Sequence, residues 1–93
     1  MNEITFDDFY QIYQKESLSV LDVREVEEFE ALHLEGALNY PLSQLADTYE
    51  QLDKTKHYYV ICKSGIRSAR ACQFLAEQGY EVINVQGGMD AFE

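Results

Sequence analysis

Tryptophan is absent from the 93 residues, proline occurs once (Pro41), and there are only two cysteines, Cys62 and Cys72. Two cysteines are too few for a disulfide framework, so free thiols in a reducing compartment are expected. No apolar run approaches the ~18 residues that span a bilayer. The opening Met1-Asn2-Glu3-Ile4-Thr5 has neither a basic start nor an apolar stretch. No signal peptide is therefore expected, and the expected location is the cytoplasm. Basic residues are scarce: seven Lys and Arg stand against seventeen Asp and Glu, a net charge of −10. That balance repels phosphates and argues against a nucleic-acid partner. Cys62, Cys72, His33 and His57 lack zinc spacing, so no metal is expected. With no repeats and no linker, residues 1–93 are expected to form one domain.

What is present is unevenly distributed. Residues 1–53 carry thirteen acids and two bases, whereas residues 54–93 carry four acids and five bases. Three bases, Lys63, Arg67 and Arg70, follow closely on Cys62. Phe6, Phe9, Tyr10 and Tyr13 recur at helical spacing after a capping pair, Thr5 and Asp8, which predicts a helix over 6–15. Residues 19–23 and 57–61 are apolar and β-branched or aromatic, as is 82–85, and each predicts a buried strand. A short extended piece is expected at 36–39. Helices are expected at 25–32 (Val26 and Phe29 facing inward), 43–52, 68–78 and 89–92. Alternating strands and helices predict a parallel sheet covered on both faces. In such sheets ligands bind beyond the carboxyl ends of the strands, and Cys62 lies at the end of one.

The segment Val60-Ile61-Cys62-Lys63-Ser64-Gly65-Ile66-Arg67-Ser68 reads as strand, cysteine, tight loop, arginine, helix. A nucleophilic cysteine must be a thiolate. At an ordinary pKa near ~8.5 only about 3% is ionised at pH 7. Loop N–H groups, the start of the following helix, and the charges of Lys63 and Arg67 can each favour the ionised form. Gly65 lets the backbone curl. Cys62 is the candidate nucleophile, and Lys63, Ser64, Gly65, Ile66, Arg67 and Ser68 are the candidate anion cradle. Cys72 shares a helical face with Ala69, Leu75 and Ala76 and reads as packing. Arg24 is expected to pair with Glu28 and brace the sheet edge. His33 reads as a hydrogen-bonded structural residue, and Gly87-Gly88 as a turn that packs the last helix near the loop.

This loop resembles the active-site loop of the rhodanese family, Cys-(Arg/Lys)-x-Gly-x-Arg-Ser. Two further stretches are similar to the family's other signatures. One runs from Leu21-Asp22-Val23-Arg24-Glu25 through Glu28-Phe29 and His33-Leu34-Glu35-Gly36-Ala37 to Pro41. The other is Asn84-Val85-Gln86-Gly87-Gly88-Met89-Asp90-Ala91-Phe92. Leu32 stands where the family usually has glycine and Phe92 where it usually has tryptophan. The resemblance spans Ile4 to Phe92. It implies a three-layer α/β/α fold on a five-stranded parallel sheet. It also implies a sulfurtransferase without cofactor, in which Cys62 takes a sulfane sulfur and passes it on as a persulfide. The implied donors are thiosulfate, polysulfide or glutathione persulfide, and the acceptor a thiol or cyanide. A protein persulfide donor would use the same chemistry.

Phosphatases of the same fold resemble His-Cys-(x)5-Arg, a loop one residue longer than Cys62 to Arg67. The shorter bowl suits one sulfur atom and crowds a phosphoryl group. A non-catalytic binding module would have no use for an activated thiol.

Overall fold

The computed structural model describes residues 2–92. Five strands occur: β1 (Glu3–Thr5), β2 (Ser19–Asp22), β3 (Leu38–Asn39), β4 (His57–Ile61) and β5 (Glu81–Gln86). They alternate with helices α1 (Phe6–Lys15), α2 (Val26–Ala31), α3 (Leu45–Thr48), α4 (Ile66–Glu77) and α5 (Gly88–Phe92). The strands form one sheet in the order β1-β5-β4-β2-β3, and every neighbouring pair is parallel. The expected three-layer α/β/α architecture is what the chain adopts.

The period-two alternation of the strands sorts side chains into two cores. Leu21, Tyr58, Val60, Cys62 and Val82 face one side, where they meet Leu45 of α3 and Ala71, Cys72 and Leu75 of α4. Val20, Ile61 and Val85 face the other, against Phe6 and Phe9 of α1 and Met89 of α5. Phe6, Tyr10 and Phe92 pack ring to ring there, with centroids 5.3 to 6.1 Å apart. The aromatic stripe of α1 is therefore core. Its start is fixed by Thr5, whose Oγ1 accepts from the Asp8 N–H at 3.2 Å.

Four local expectations are corrected. The edge strand β1 was not foreseen; three residues, mostly exposed, leave no periodic signal. The stretch 43–52 is not one helix but α3 flanked by 3-10 turns at Leu42–Gln44 and Tyr49–Gln51. Helix α2 buries none of its residues. Val26 is 42% exposed, and Phe29 stacks on His33 with ring centroids 3.8 Å apart. The side chains of α2 find partners outside the core, Glu28 on Arg67 and Phe29 on His33. Finally, α4 starts at Ile66 rather than Ser68, which places Arg67 and Ser68 in its first turn.

The chain leaves β4 toward β5 on one side and β2 toward β3 on the other. The switch point beyond the carboxyl ends of β2 and β4 is where sheets of this kind place their ligand crevice. Helix α2 follows β2 and α4 follows β4, so the two helix starts face each other across it.

Candidate active site

Cys62 is the first residue beyond β4 and is fully buried beneath α4. Gly65 caps α4 at φ +103°, a left-handed conformation that side chains resist. Any Cβ there would also press on the Gly87 amide nitrogen at 3.3 Å. The curl aims N–H groups at the sulfur: Gly65 N lies 3.1 Å and Ser68 N 3.2 Å from Sγ. Ser68 Oγ, also buried, sits 3.3 Å away. Its hydroxyl can rotate to donate once the sulfur is ionised. Burial, the largest single influence, pushes the Cys62 thiol up. The Ser68 hydroxyl and amide, with the amides of Gly65 and Ser64, more than offset it and leave the pKa below the ordinary value. The positive end of α4 acts in the same direction. Cys72 is the contrast. It sits in the same core, and burial, aided by the charges of Glu3 and Cys62, pushes it up to about 12.

The loop is held from behind by α5. Met89 N donates to the Cys62 carbonyl at 2.8 Å and Asp90 N to the Lys63 carbonyl at 2.9 Å. In a trans peptide C=O and N–H point opposite ways. Turning the Lys63 carbonyl toward α5 therefore turns the Ser64 N–H toward the sulfur. The contact is tight enough that a Cβ on Gly88 would collide with the Cys62 and Lys63 carbonyl oxygens. Lys63 Nζ meets Asp90 Oδ1 at 2.6 Å, and Asn84 Nδ2 reaches the Gly65 carbonyl at 3.4 Å. The glycine pair thus packs the last helix near the loop, as its turn-like sequence suggested.

The expected Arg24–Glu28 pair does not form. Arg24 instead lies buried along Asp22, donating from Nε and Nη2 at 2.9 to 3.2 Å, with Nη2 also reaching the Leu32 carbonyl at 2.6 Å. Asp22 is fully buried and requires a charged partner within reach, which Arg24 supplies from two residues away. Glu28 goes to Arg67 across the crevice, Nη1 to Oε1 at 2.6 Å and Nη2 to Oε2 at 2.9 Å. Glu28 Oε1 also accepts the Glu25 N–H at 3.2 Å, closing a capping box at the start of α2. The expected sheet-edge brace named the wrong partner for Glu28; the signal for the right one is the adjacency of β2 and β4, which pairs their following helices.

The cradle residues therefore separate by what each contributes. Ser64, Gly65 and Ser68 direct donors at the sulfur. Lys63 and Arg67 lie at the mouth with carboxylate partners. Ile66 stands 65% exposed beside it. Glu28, Asp90, Gly88 and Asn84 join the site without having been singled out as site residues from the sequence. His33 stays outside it, exposed, with Nδ1 2.6 Å from the Phe29 carbonyl oxygen.

A parallel α/β/α layer carrying a cysteine in an N–H-lined loop at its switch point defines a class of anion-cradling thiol domains. Within that class the chain belongs to the rhodanese-like domain family, whose model matches residues 5–93. It is 41% identical over 83 residues to YtwF of Bacillus subtilis, a protein bearing a provisional sulfurtransferase name, with 89% of this chain and 81% of that one covered. It is 31% identical over 90 residues to the thiosulfate sulfurtransferase GlpE of Shewanella oneidensis, covering 96% and 89%. Among solved structures, SSP1007 from Staphylococcus saprophyticus superposes with a TM-score of 0.94 at 32% identity, covering 100% and 94%.

Two outcomes follow from this geometry. Gly88→Ala should cost about 2–4 kcal/mol in denaturant unfolding, because backbone carbonyls cannot yield as side chains do. Gly36→Ala, also at positive φ but with nothing within 4 Å of the added Cβ, should cost about 1 kcal/mol; equal costs would contradict the clamp. Glu28 is held at about 2 against 4.5, first by its hydrogen bond to Arg67, against an opposing push from burial. A carboxylate with a lowered folded value stabilises the fold above its unfolded value and loses that contribution as pH falls from 4.5 to 2. The stability deficit of Glu28→Gln, read by urea unfolding, should therefore shrink across this window; a constant deficit would contradict the pairing.

Proposed function

We propose that this protein is a sulfurtransferase that carries a sulfane sulfur on Cys62. The observation that carries the reading is the convergence of the Gly65 and Ser68 amides and the Ser68 hydroxyl on one buried sulfur. Donors in that arrangement stabilise negative charge on the attacking thiolate, and on the outer sulfur once it is a persulfide. The Cys62 thiolate attacks the outer sulfur of a donor such as thiosulfate, polysulfide or glutathione persulfide. The donor's S–S bond breaks, its electron pair leaves with the sulfite or thiolate, and a Cys62 persulfide remains. An acceptor thiolate or cyanide then attacks the outer sulfur, and the Cys62 thiolate returns. Charge and sulfur balance in each half without a cofactor.

In this reading the Lys63, Ser64, Gly65, Ile66, Arg67 and Ser68 segment forms the cradle. Its backbone N–H groups receive the charge, Arg67 and Lys63 guide an anionic donor, and exposed Ile66 borders the approach. The six-residue span from Cys62 to Arg67 favours a single sulfur over a phosphoryl group. The names of the YtwF and GlpE relatives support sulfur transfer. No helix among the described residues is long and apolar enough to cross a membrane. Residues 1–93 act as a single unit in this proposal, in the reducing cytoplasm where both cysteines stay free.

Intact-mass spectrometry after exposure to thiosulfate, polysulfide or glutathione persulfide should show the protein heavier by one sulfur atom, the mass lost on reduction and absent in Cys62→Ser. An unshifted wild type with all three donors would contradict the proposal, and appreciable aryl phosphate hydrolysis would replace it with a phosphatase.

A further inference from the structure

The arginine of the candidate cradle is already engaged. Arg67 sits in the first turn of α4, one residue before Ser68, and its guanidinium is held by the charges of Glu28, Cys62 and Glu25, the Glu28 hydrogen bonds foremost. Both Nη groups are taken by the Glu28 carboxylate. The side chains are 31% and 33% exposed, so the pair is sheltered more than a surface ion pair, and its two-point geometry is the strong kind. Lys63, the other cation of the mouth, lies against Asp90 at 2.6 Å. Arg67 and Lys63 thus each meet a carboxylate, and the carboxylate of Glu28 is presented beside the arginine that would attract an anion.

We propose that Glu28 is a specificity-determining residue that sets the charge of the sulfur donor: by occupying Arg67 it disfavours dianionic donors relative to monoanionic ones. This inference rests on the sulfur-transfer reading and narrows its donor class. Repulsion by Glu28 grows in proportion to donor charge, so a dianion feels twice the penalty of a monoanion at the same position. The remaining N–H donors of Arg67 stay available to hold either.

Thiosulfate and methanethiosulfonate form a matched pair. Each presents a sulfane sulfur on an oxidised sulfur, the first as a dianion and the second as a monoanion. In each case the Cys62 thiolate bonds to the sulfane sulfur, the donor S–S bond breaks, and the electron pair departs on sulfite or on methanesulfinate. Glu28→Gln removes the charge while its amide oxygen can still accept from Arg67 and from the Glu25 N–H, so α2 keeps its cap.

The test measures kcat/KM of wild type and Glu28→Gln with both donors over a series of salt concentrations. The substitution should raise the value for thiosulfate by about tenfold and that for methanethiosulfonate by only about threefold. The gain should fade as salt screens the half-buried Glu28 and Arg67 charges. A persulfide forming on Cys62 with an unchanged donor ratio would overturn the role of Glu28 alone. Equal losses with both donors would also overturn it, leaving Glu28 as a support for Arg67. No persulfide from either donor would overturn the sulfur-transfer reading and this inference together.

Discussion

Lowering the pKa of a thiol that has no solvent exposure is the constraint around which this structure is arranged. Burial alone drives a thiol toward the neutral form, and Cys72, in the same core, shows the result. Cys62 escapes it because two amides and a hydroxyl converge on Sγ within 3.3 Å. Such donors are fixed before charge develops and need no reorganisation when it does. The net charge of −10 is spread over the surface, where solvent screens it, whereas the donors act at contact distance.

Keeping those donors aimed takes contributions from distant parts of the chain. Strand β4 delivers Cys62 to the sheet edge, and Gly65 permits the turn. Helix α5, more than twenty residues later in the sequence, grips the carbonyls of Cys62 and Lys63. The buried Asp22–Arg24 pair braces the end of β2, with Asn39 Nδ2 donating to the carbonyls of Asp22 and Arg24 at 3.1 and 2.9 Å. That brace holds the entry to α2, and so the position from which Glu28 reaches Arg67. A short five-stranded sheet is enough because its central strand β4 and the adjacent β2 carry both halves of the crevice.

Much of this was legible in the sequence, for identifiable reasons. The strands β2, β4 and β5 carry dense apolar runs, and α1 and α4 have clear helical periodicity. The loop order of strand, cysteine, glycine and arginine marked the segment whose amides converge on Cys62. Less legible were elements whose identity comes from their neighbours. Strand β1 exists because β5 offers it an edge, with Glu3 beside Asn84 in register. Val26 and Phe29 of helix α2 suggested an inward face that the structure leaves unburied. The partner of Glu28 is thirty-nine residues away, and no local spacing rule reaches that far. Arg24 was expected to brace the sheet edge with Glu28, while the buried carboxylate of Asp22, two residues upstream, had the stronger claim on it.

The central claim is that the loop's donors make Cys62 a thiolate within the folded core. Its most direct test is titration of the thiolate by ultraviolet absorbance in a Cys72→Ala background, with and without Ser68→Ala. The account predicts a midpoint below the ordinary cysteine value of about 8.5, moving upward when the Ser68 hydroxyl is removed. A midpoint at or above that value in the protein with Ser68 intact would contradict it.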